Sequence, residues 1–171
     1  TGEQDKELTR LIGDKVLGYN WDTVSDDMSV SLPVNITKKK TKKLRSGPDL
    51  TVESLDLLRE VKLSRRLCLG ITSGFLDFLG IACPYTLRFK LLMKQVFEDK
   101  DIQLSWDDEL PKKYLAPWID LITETVMSDS ICFPRTTRPS SAIGNPWLVP
   151  FGDGAFPAFS AAVYVRWEVS C

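Results

Sequence analysis

Between Lys15 and Leu32 the chain reads KVLGYNWDTVSDDMSVSL. Val16, Tyr19 and Trp21 supply residues that favour strands, DTVSDD is a polar turn, and MSVSL alternates apolar with polar side chains, so the pattern predicts a β-hairpin. From Thr51 the period lengthens, with Leu55, Leu58 and Val61 recurring at helical spacing. Ser64 then stands where an N-cap serine would open a second helix through RRLCLGITSGFLDFLG, weakened by about 1 kcal/mol at each of Gly70 and Gly74 relative to alanine. Pro84 breaks the apolar run, and YTLRFKLLMKQVFED resumes it as a third helix around Leu87, Leu91 and Leu92. Asp107, Asp108 and Glu109 precede Pro111, where acids suit a helix N-terminus, and a fourth helix is expected through Tyr114, Trp118 and Leu121, kinked or shortened by Pro117. The last segment returns to strands, WLVPF and FSAAVYVRW. They are joined by GDGAFPA, a connection too long for a two-residue turn.

Two stretches interrupt this pattern. KKKTKKLRSGPDL crowds six basic residues into eight positions before a Ser-Gly-Pro breaker, and ICFPRTTRPSSAIGNPW carries three prolines among small polar residues; both read as linkers. The expected class is α+β: an N-terminal hairpin within residues 1–37, a basic linker at 38–49, a helical region at 50–130, a second linker at 131–146 and a C-terminal hairpin at 147–171. The chain has 171 residues, 43% of them hydrophobic and 26% charged. That is material for one core or two small ones, and it argues against disorder of the whole chain.

The overall charge of −1 conceals an asymmetry. Residues 38–66 hold ten Lys/Arg against four Asp/Glu, a local +6 that leaves −7 for the rest. Such a block points to a local anionic partner rather than to general nucleic-acid affinity. Lys38, Lys39, Lys40, Lys42, Lys43 and Arg45 could meet a phosphate backbone and release its counterions, and Arg65 and Arg66 at the capped helix could do the same; a solvated linker is the simpler reading of the lysines. Trp21, Trp106, Trp118, Trp147 and Trp167 are expected in the core rather than as base-stacking platforms.

Histidine is absent, which excludes Ser/His/Asp and Cys/His catalysis, and the four cysteines form no CxxC pair. Their sparsity favours free thiols and an intracellular setting over a disulfide framework. The first residues, TGEQDKELTR, contain no initiator Met and no apolar leader, which suggests a piece excised from a longer chain. Leu67–Leu92 is the most apolar stretch, but Asp77, Pro84 and Arg88 interrupt it, so a membrane span is not expected.

Taken together, the motifs resemble the Pol polyprotein of BEL/Pao-type LTR retrotransposons. The residues that carry the likeness are LSRR at 63–66, FLDFLG and the Pro84 that follows, TLRFKLLMKQVF, SWDDELP, VLGYNWD upstream, and FPR, FGDGA and AAVYVR downstream. They stand in the family's order and approximate spacing over nearly the whole chain. Two departures are plain: Phe78 stands where the family has proline, and Pro150 lies inside what should be a central strand.

The resemblance implies the end of a reverse-transcriptase palm up to about residue 36, thumb-like and connecting helices from 50 to about 130, and the first hairpin of a ribonuclease H domain from 147. It implies that the chain grips an RNA–DNA hybrid or template–primer alongside the rest of the Pol polyprotein, in a cytoplasmic element particle, without being catalytic alone. Ribonuclease H chemistry uses two Mg²⁺ ions about 4 Å apart, held by several converging carboxylates. By resemblance Asp153 is the first of that set, a catalytic and metal residue only in the full-length parent, so no cofactor is expected for this chain by itself. Gly152 and Gly154 would equally suit Asp153 as a turn acid.

Two other centres are weighed. The Asp26–Asp27 pair in VSDDM lacks the aromatic of a polymerase site and follows a motif that lies after that site in the family, so it reads as a hairpin turn. An aspartic peptidase, which Pao-type elements also encode, would need Asp-Thr/Ser-Gly, and neither triplet occurs. The alternatives to the polymerase/nuclease reading are therefore that peptidase, by family label only, and a domesticated non-enzymatic nucleic-acid-binding module.

Overall fold

The computed structural model describes residues 18–37, 47–128 and 130–170. The first hairpin pairs β1 (Tyr19–Asp22) with β2 (Asp27–Val30), antiparallel, with Tyr19 opposite Val30 and Asp22 opposite Asp27. DTVSDD is the turn between them: the Asp22 carboxylate accepts from the Val24 and Ser25 amides, and Asp26 adopts a positive φ of 60° that aspartate tolerates. Lys15 and Val16, the expected start of this hairpin, lie outside the described residues, as do Lys38–Arg45 and Cys171.

Residues 131–146, expected to form a linker, contain strand. β3 (Ile131–Pro134) pairs antiparallel with β2, Val30 opposite Ile131, and completes a three-stranded sheet. Only a few residues of ICFP alternate, so the neighbouring prolines masked the signal. Here Pro134 sits at the strand's end, on an edge, where no ladder donor is missed.

A 3-10 helix, Val52–Arg59, leads to α1 (Arg65–Thr72), α2 (Cys83–Glu98) and α3 (Lys112–Met127). Ser64 is the N-cap of α1 as expected, its hydroxyl accepting from the Leu67 amide at 3.4 Å. The helix stops at Thr72 instead of running to Gly80, and the FLDFLG residues form a loop. Pro84 does not break a helix but opens one, occupying the first turn of α2, where a missing N–H costs nothing. Pro117 neither shortens nor ends α3. It lies on the exposed face early in the helix, and the carbonyl it leaves unpaired, that of Lys113, belongs to an exposed residue.

The main core lies among these helices. Phe89 stacks edge-on to Phe75 at 4.8 Å and tilts against Trp118 at 5.6 Å, surrounded by Leu63, Cys68, Ile71, Val96 and Ile122. A smaller cluster under the sheet holds Tyr19, Val30 and Ala82, and Leu32 packs against both. Of the five tryptophans only Trp118 is buried; Trp21, Trp106 and Trp147 are exposed and Trp167 is half-covered, correcting the expectation of five core indoles.

β4 (Ala142–Ala155) and β5 (Ala158–Val169) form a separate antiparallel two-stranded sheet. Its strands continue to Ala155 and Ala158, leaving Phe156–Pro157, a cis peptide, as a tight two-residue turn in place of the long connection expected. Glycines 152 and 154 stay extended and paired, which is why GDGA reads as loop but folds as strand. Among the described residues no other element packs against this hairpin; at its tip Lys94 of α2 lies 5.9 Å from the Phe156 ring.

Truncating Trp118 tests this core. Trp118→Ala is expected to lower unfolding stability by about 3–5 kcal/mol. Trp118→Phe should cost less, because it also removes an indole N–H that has no partner among the described residues. Urea denaturation followed by far-UV circular dichroism measures both. Equal losses would contradict the geometry.

Candidate functional site

The two arginines singled out by the sequence sit at the start of α1, where LSRR meets SWDDEL. The two motifs run antiparallel: Ser64 bridges Glu109, the Leu110 amide donates to the Leu63 carbonyl at 2.9 Å, and the Arg66 amide donates to the Trp106 carbonyl at 3.0 Å. Arg65 turns inward. Its guanidinium donates to the Leu104 carbonyl at 2.7 Å and to the Val96 carbonyl at 2.9 Å, near the C-terminus of α2, where carbonyls lack helical partners and a cation is favoured. Its Nε is buried without a partner among the described residues, and the group lies 5.2 Å from the Phe97 ring.

Arg66 faces solvent. It forms a two-pronged pair with Asp107, Nε to Oδ1 at 2.8 Å and a terminal nitrogen to Oδ2 at 3.2 Å, and lies over the Trp106 ring at 5.7 Å. Phe97 and Trp106 meet edge-on at 5.6 Å. The Asp107 carboxylate holds the Arg66 guanidinium above its ordinary pKa. The arrangement therefore commits Arg65 to backbone carbonyls, leaving Arg66 as the member of the pair whose charge reaches the surface.

Two further clusters were not foreseen from the sequence as clusters. Arg135, from the FPR motif, chelates Asp26 at 2.6 and 3.0 Å and covers the Trp21 ring at 5.2 Å, while the Trp21 indole also donates to Asp26 at 3.1 Å. This repeats the Trp106–Arg66–Asp107 pattern of indole, guanidinium and carboxylate. In FLDFLG, Asp77 accepts from the Tyr19 hydroxyl at 2.6 Å and from the Ala82 amide at 2.8 Å, and the Tyr19 oxygen accepts from the Leu79 amide at 3.0 Å. Burial, then the Asp77 hydrogen bond, pushes the Tyr19 hydroxyl pKa up. The available signal was that VLGYNWD supplies Tyr19 and Trp21, FLDFLG a lone acid, Asp77, and FPR a lone cation, Arg135. Asp26 and Asp27 themselves are turn and strand-end residues.

Asp153 lies within β4, opposite Ser160, so it is a strand residue and not the turn acid considered above. Its Oδ1 accepts from the Gly154 amide at 2.9 Å. Pro150 pairs with Val163 on a strand that is an edge of its sheet among the described residues, where proline is tolerated. Two Mg²⁺ ions would need several carboxylates, and among the described residues no three His, Cys, Asp or Glu converge. Asp153 by itself does not fit a magnesium centre. The lysines of the basic run, with Arg45, fall outside the described residues.

Cys68, Cys83 and Cys132 are free. Burial pushes the Cys68 thiol up to about 12, an unreactive structural thiol, whereas Cys83 and Cys132 are exposed. No helix among the described residues is long and apolar enough to cross a membrane.

Helices, a three-stranded sheet and a hairpin that carries Asp153 on β4 and Glu168 on β5 make up an α+β domain. The family described as Pao retrotransposon-like RNaseH-like domain matches residues 64–170, more than half of the chain, and the chain belongs to that family. The matched span begins at Ser64, within LSRR, and takes in AAVYVR near its end. No curated protein and no solved structure matches the chain.

Two expectations follow. Replacing Arg65 with Ala should destabilise the fold by about 1.5–3 kcal/mol, the scale for losing charged hydrogen bonds to buried carbonyls, whereas Arg66→Ala should leave the unfolding midpoint nearly unchanged. Thermal unfolding of the two variants compares them directly. In acid, the Arg135 hydrogen bond holds the Asp26 pKa below its ordinary value, so the clasp's contribution is present above the unfolded carboxylate value and is lost as pH falls through the lower folded one. Stability should therefore drop as pH is lowered below about 4, and the drop should be smaller in Asp26→Asn.

Proposed function

We propose that this chain is a non-catalytic part of a Pao-type Pol polyprotein that holds an RNA–DNA hybrid or template–primer, with residues 50–130 as thumb and connection and the β4–β5 hairpin as the start of the ribonuclease H region. The observation that carries this reading is the +6 block at residues 38–66 on a chain otherwise at −7, inside a retroelement family. Arg65 is committed to the Val96 and Leu104 carbonyls, so the grip falls to Lys38, Lys39, Lys40, Lys42, Lys43 and Arg45, with Arg66 contributing from the start of α1. Phosphate contacts of this kind position a duplex without reading its sequence. On the same reading Asp153 supplies one carboxylate to a nuclease site whose other members come from elsewhere in the polyprotein. The chain's own task is to bind and orient.

Fluorescence anisotropy with a labelled RNA–DNA hybrid tests the grip. Five phosphate contacts should weaken binding by roughly 10²–10³-fold between 50 and 200 mM salt. Reversing Lys38, Lys39, Lys40, Lys42 and Lys43 to glutamate should abolish that salt dependence together with the affinity. Binding that survives the reversal would refute the assignment.

A further inference from the structure

The basic stretch leaves the protein and returns to it at one place. Val34 and Ile36 on the way out, and Leu50 on the way back, rest on the helical cluster, and the Leu50 amide donates to the Val34 carbonyl at 2.7 Å. Beyond that bond the Asn35 side chain joins the two stems. Its amide nitrogen donates to the Gly47 carbonyl at 2.7 Å, the Pro48 carbonyl at 3.3 Å and Asp49 Oδ1 at 3.2 Å. Its amide oxygen accepts from the Thr37 amide at 3.0 Å and from the Thr37 hydroxyl. A carboxamide has the donor end and the acceptor end that this needs, whereas aspartate would only accept, and would face the Asp49 carboxylate. The stems touch at Gly47, where an added Cβ would collide with Thr37 Cγ2 and stand 3.1 Å from its Cβ. In the sequence between them, residues 38–46, lie Lys38, Lys39, Lys40, Lys42, Lys43 and Arg45 and no acid.

We propose that Asn35 is a positioning residue for nucleic-acid binding, clamping the two stems so that the six cations between them meet the phosphates from one point of the surface. This rests on the grip proposed above and adds the residue that sets its strength. With the clamp in place, nine residues separate Thr37 from Gly47; without it the nearest tie is Val34 to Leu50, with fifteen residues between. The local concentration of groups on a loop falls as about the 3/2 power of its length, so the cations become about twofold more dilute around a given phosphate. Val34, Ile36 and Leu50 stay anchored in the core either way, so the fold does not need the clamp. Asn35 touches no phosphate itself and acts through the lysines.

Fluorescence anisotropy with the labelled RNA–DNA hybrid, on the full chain, compares wild type with Asn35→Ala. The variant should bind at least about twofold more weakly with an unchanged salt slope, because the same cations meet the phosphates. Circular dichroism should be unchanged. A disulfide then separates positioning from loss of structure: Thr37→Cys with Gly47→Cys sets two Cβ atoms within a few tenths of an ångström of the ordinary disulfide span of about 3.5–4.5 Å. In an Asn35→Ala chain with serine at Cys83, Cys132 and Cys171, the oxidised pair should restore wild-type affinity and its reduction should remove it again. Without nucleic acid, the same pair should oxidise faster when Asn35 is present than in Asn35→Ala. An Asn35→Ala chain that binds as tightly as wild type, or an affinity that ignores the redox state, overturns the role. Equal oxidation rates overturn it too, by a reading that needs no nucleic acid and leaves the grip itself standing. A wild-type chain with no affinity for the hybrid refutes the grip, and this role with it.

Discussion

The Arg65 guanidinium ties together three stretches that the chain order keeps apart: the start of α1, the end of α2 and the segment leading into SWDDEL. Each of its donated hydrogen bonds ends on a carbonyl that regular structure leaves over, one at the last turn of α2 and one in a loop. A neutral side chain could not reach both with a rigid planar fork, and lysine would offer a point charge in its place. Once this junction is set, Leu63 and Leu110 are brought side by side and sealed against water, and the Phe75–Phe89–Trp118 stack closes beneath them. The spacing of LSRR and SWDDEL along the sequence is thus the spacing of two sides of one joint.

Around this joint the exterior uses one device twice. At Trp106 and at Trp21 an arginine lies over the indole and a carboxylate chelates the arginine from the side. The carboxylate fixes the guanidinium plane, and the ring covers one of its hydrophobic faces, so each member restricts the other two. One clasp joins α1 to the loop after α2; the other joins the β1–β2 turn to the end of β3. Being exposed, they add geometric definition more than stability.

The elements with a clear period were legible in the sequence. The first hairpin, the Ser64 cap and the helices through Leu87–Leu92 and Trp118–Leu121 all follow from spacing and capping chemistry. What escaped was decided by partners. β3 is a strand because β2 offers it an edge, not because ICFP alternates strongly. GDGA stays extended because Ser160, Phe159 and Ala158 face it. Of the candidate site, the sequence singled out Arg65, Arg66 and Asp153 but could not separate an inward guanidinium from an outward one, since adjacent helix positions differ only by rotation about the axis. It likewise placed Asp77 and Arg135 inside motifs without showing that each closes on a tyrosine or an aspartate far away in the chain.

The unequal size of the two apolar clusters gives the molecule an order in which it opens. Among the described residues the sheet rests on three buried ones, Tyr19, Val30 and Ala82, whereas the helical cluster holds fourteen, so far less water must be readmitted to part the sheet than to part the helices. Gly18 presses against the Leu76 backbone at a φ of 89°, and the Tyr19–Asp77 hydrogen bond lies beside it, so the seam between the two clusters runs through FLDFLG. That loop presents Leu76, Phe78 and Leu79 to solvent even when closed. The β1–β3 sheet is therefore a layer that can part from the helices along Leu76–Leu79 and expose a further apolar strip, while Phe75, the Arg65 joint and the helices behind it keep their native arrangement.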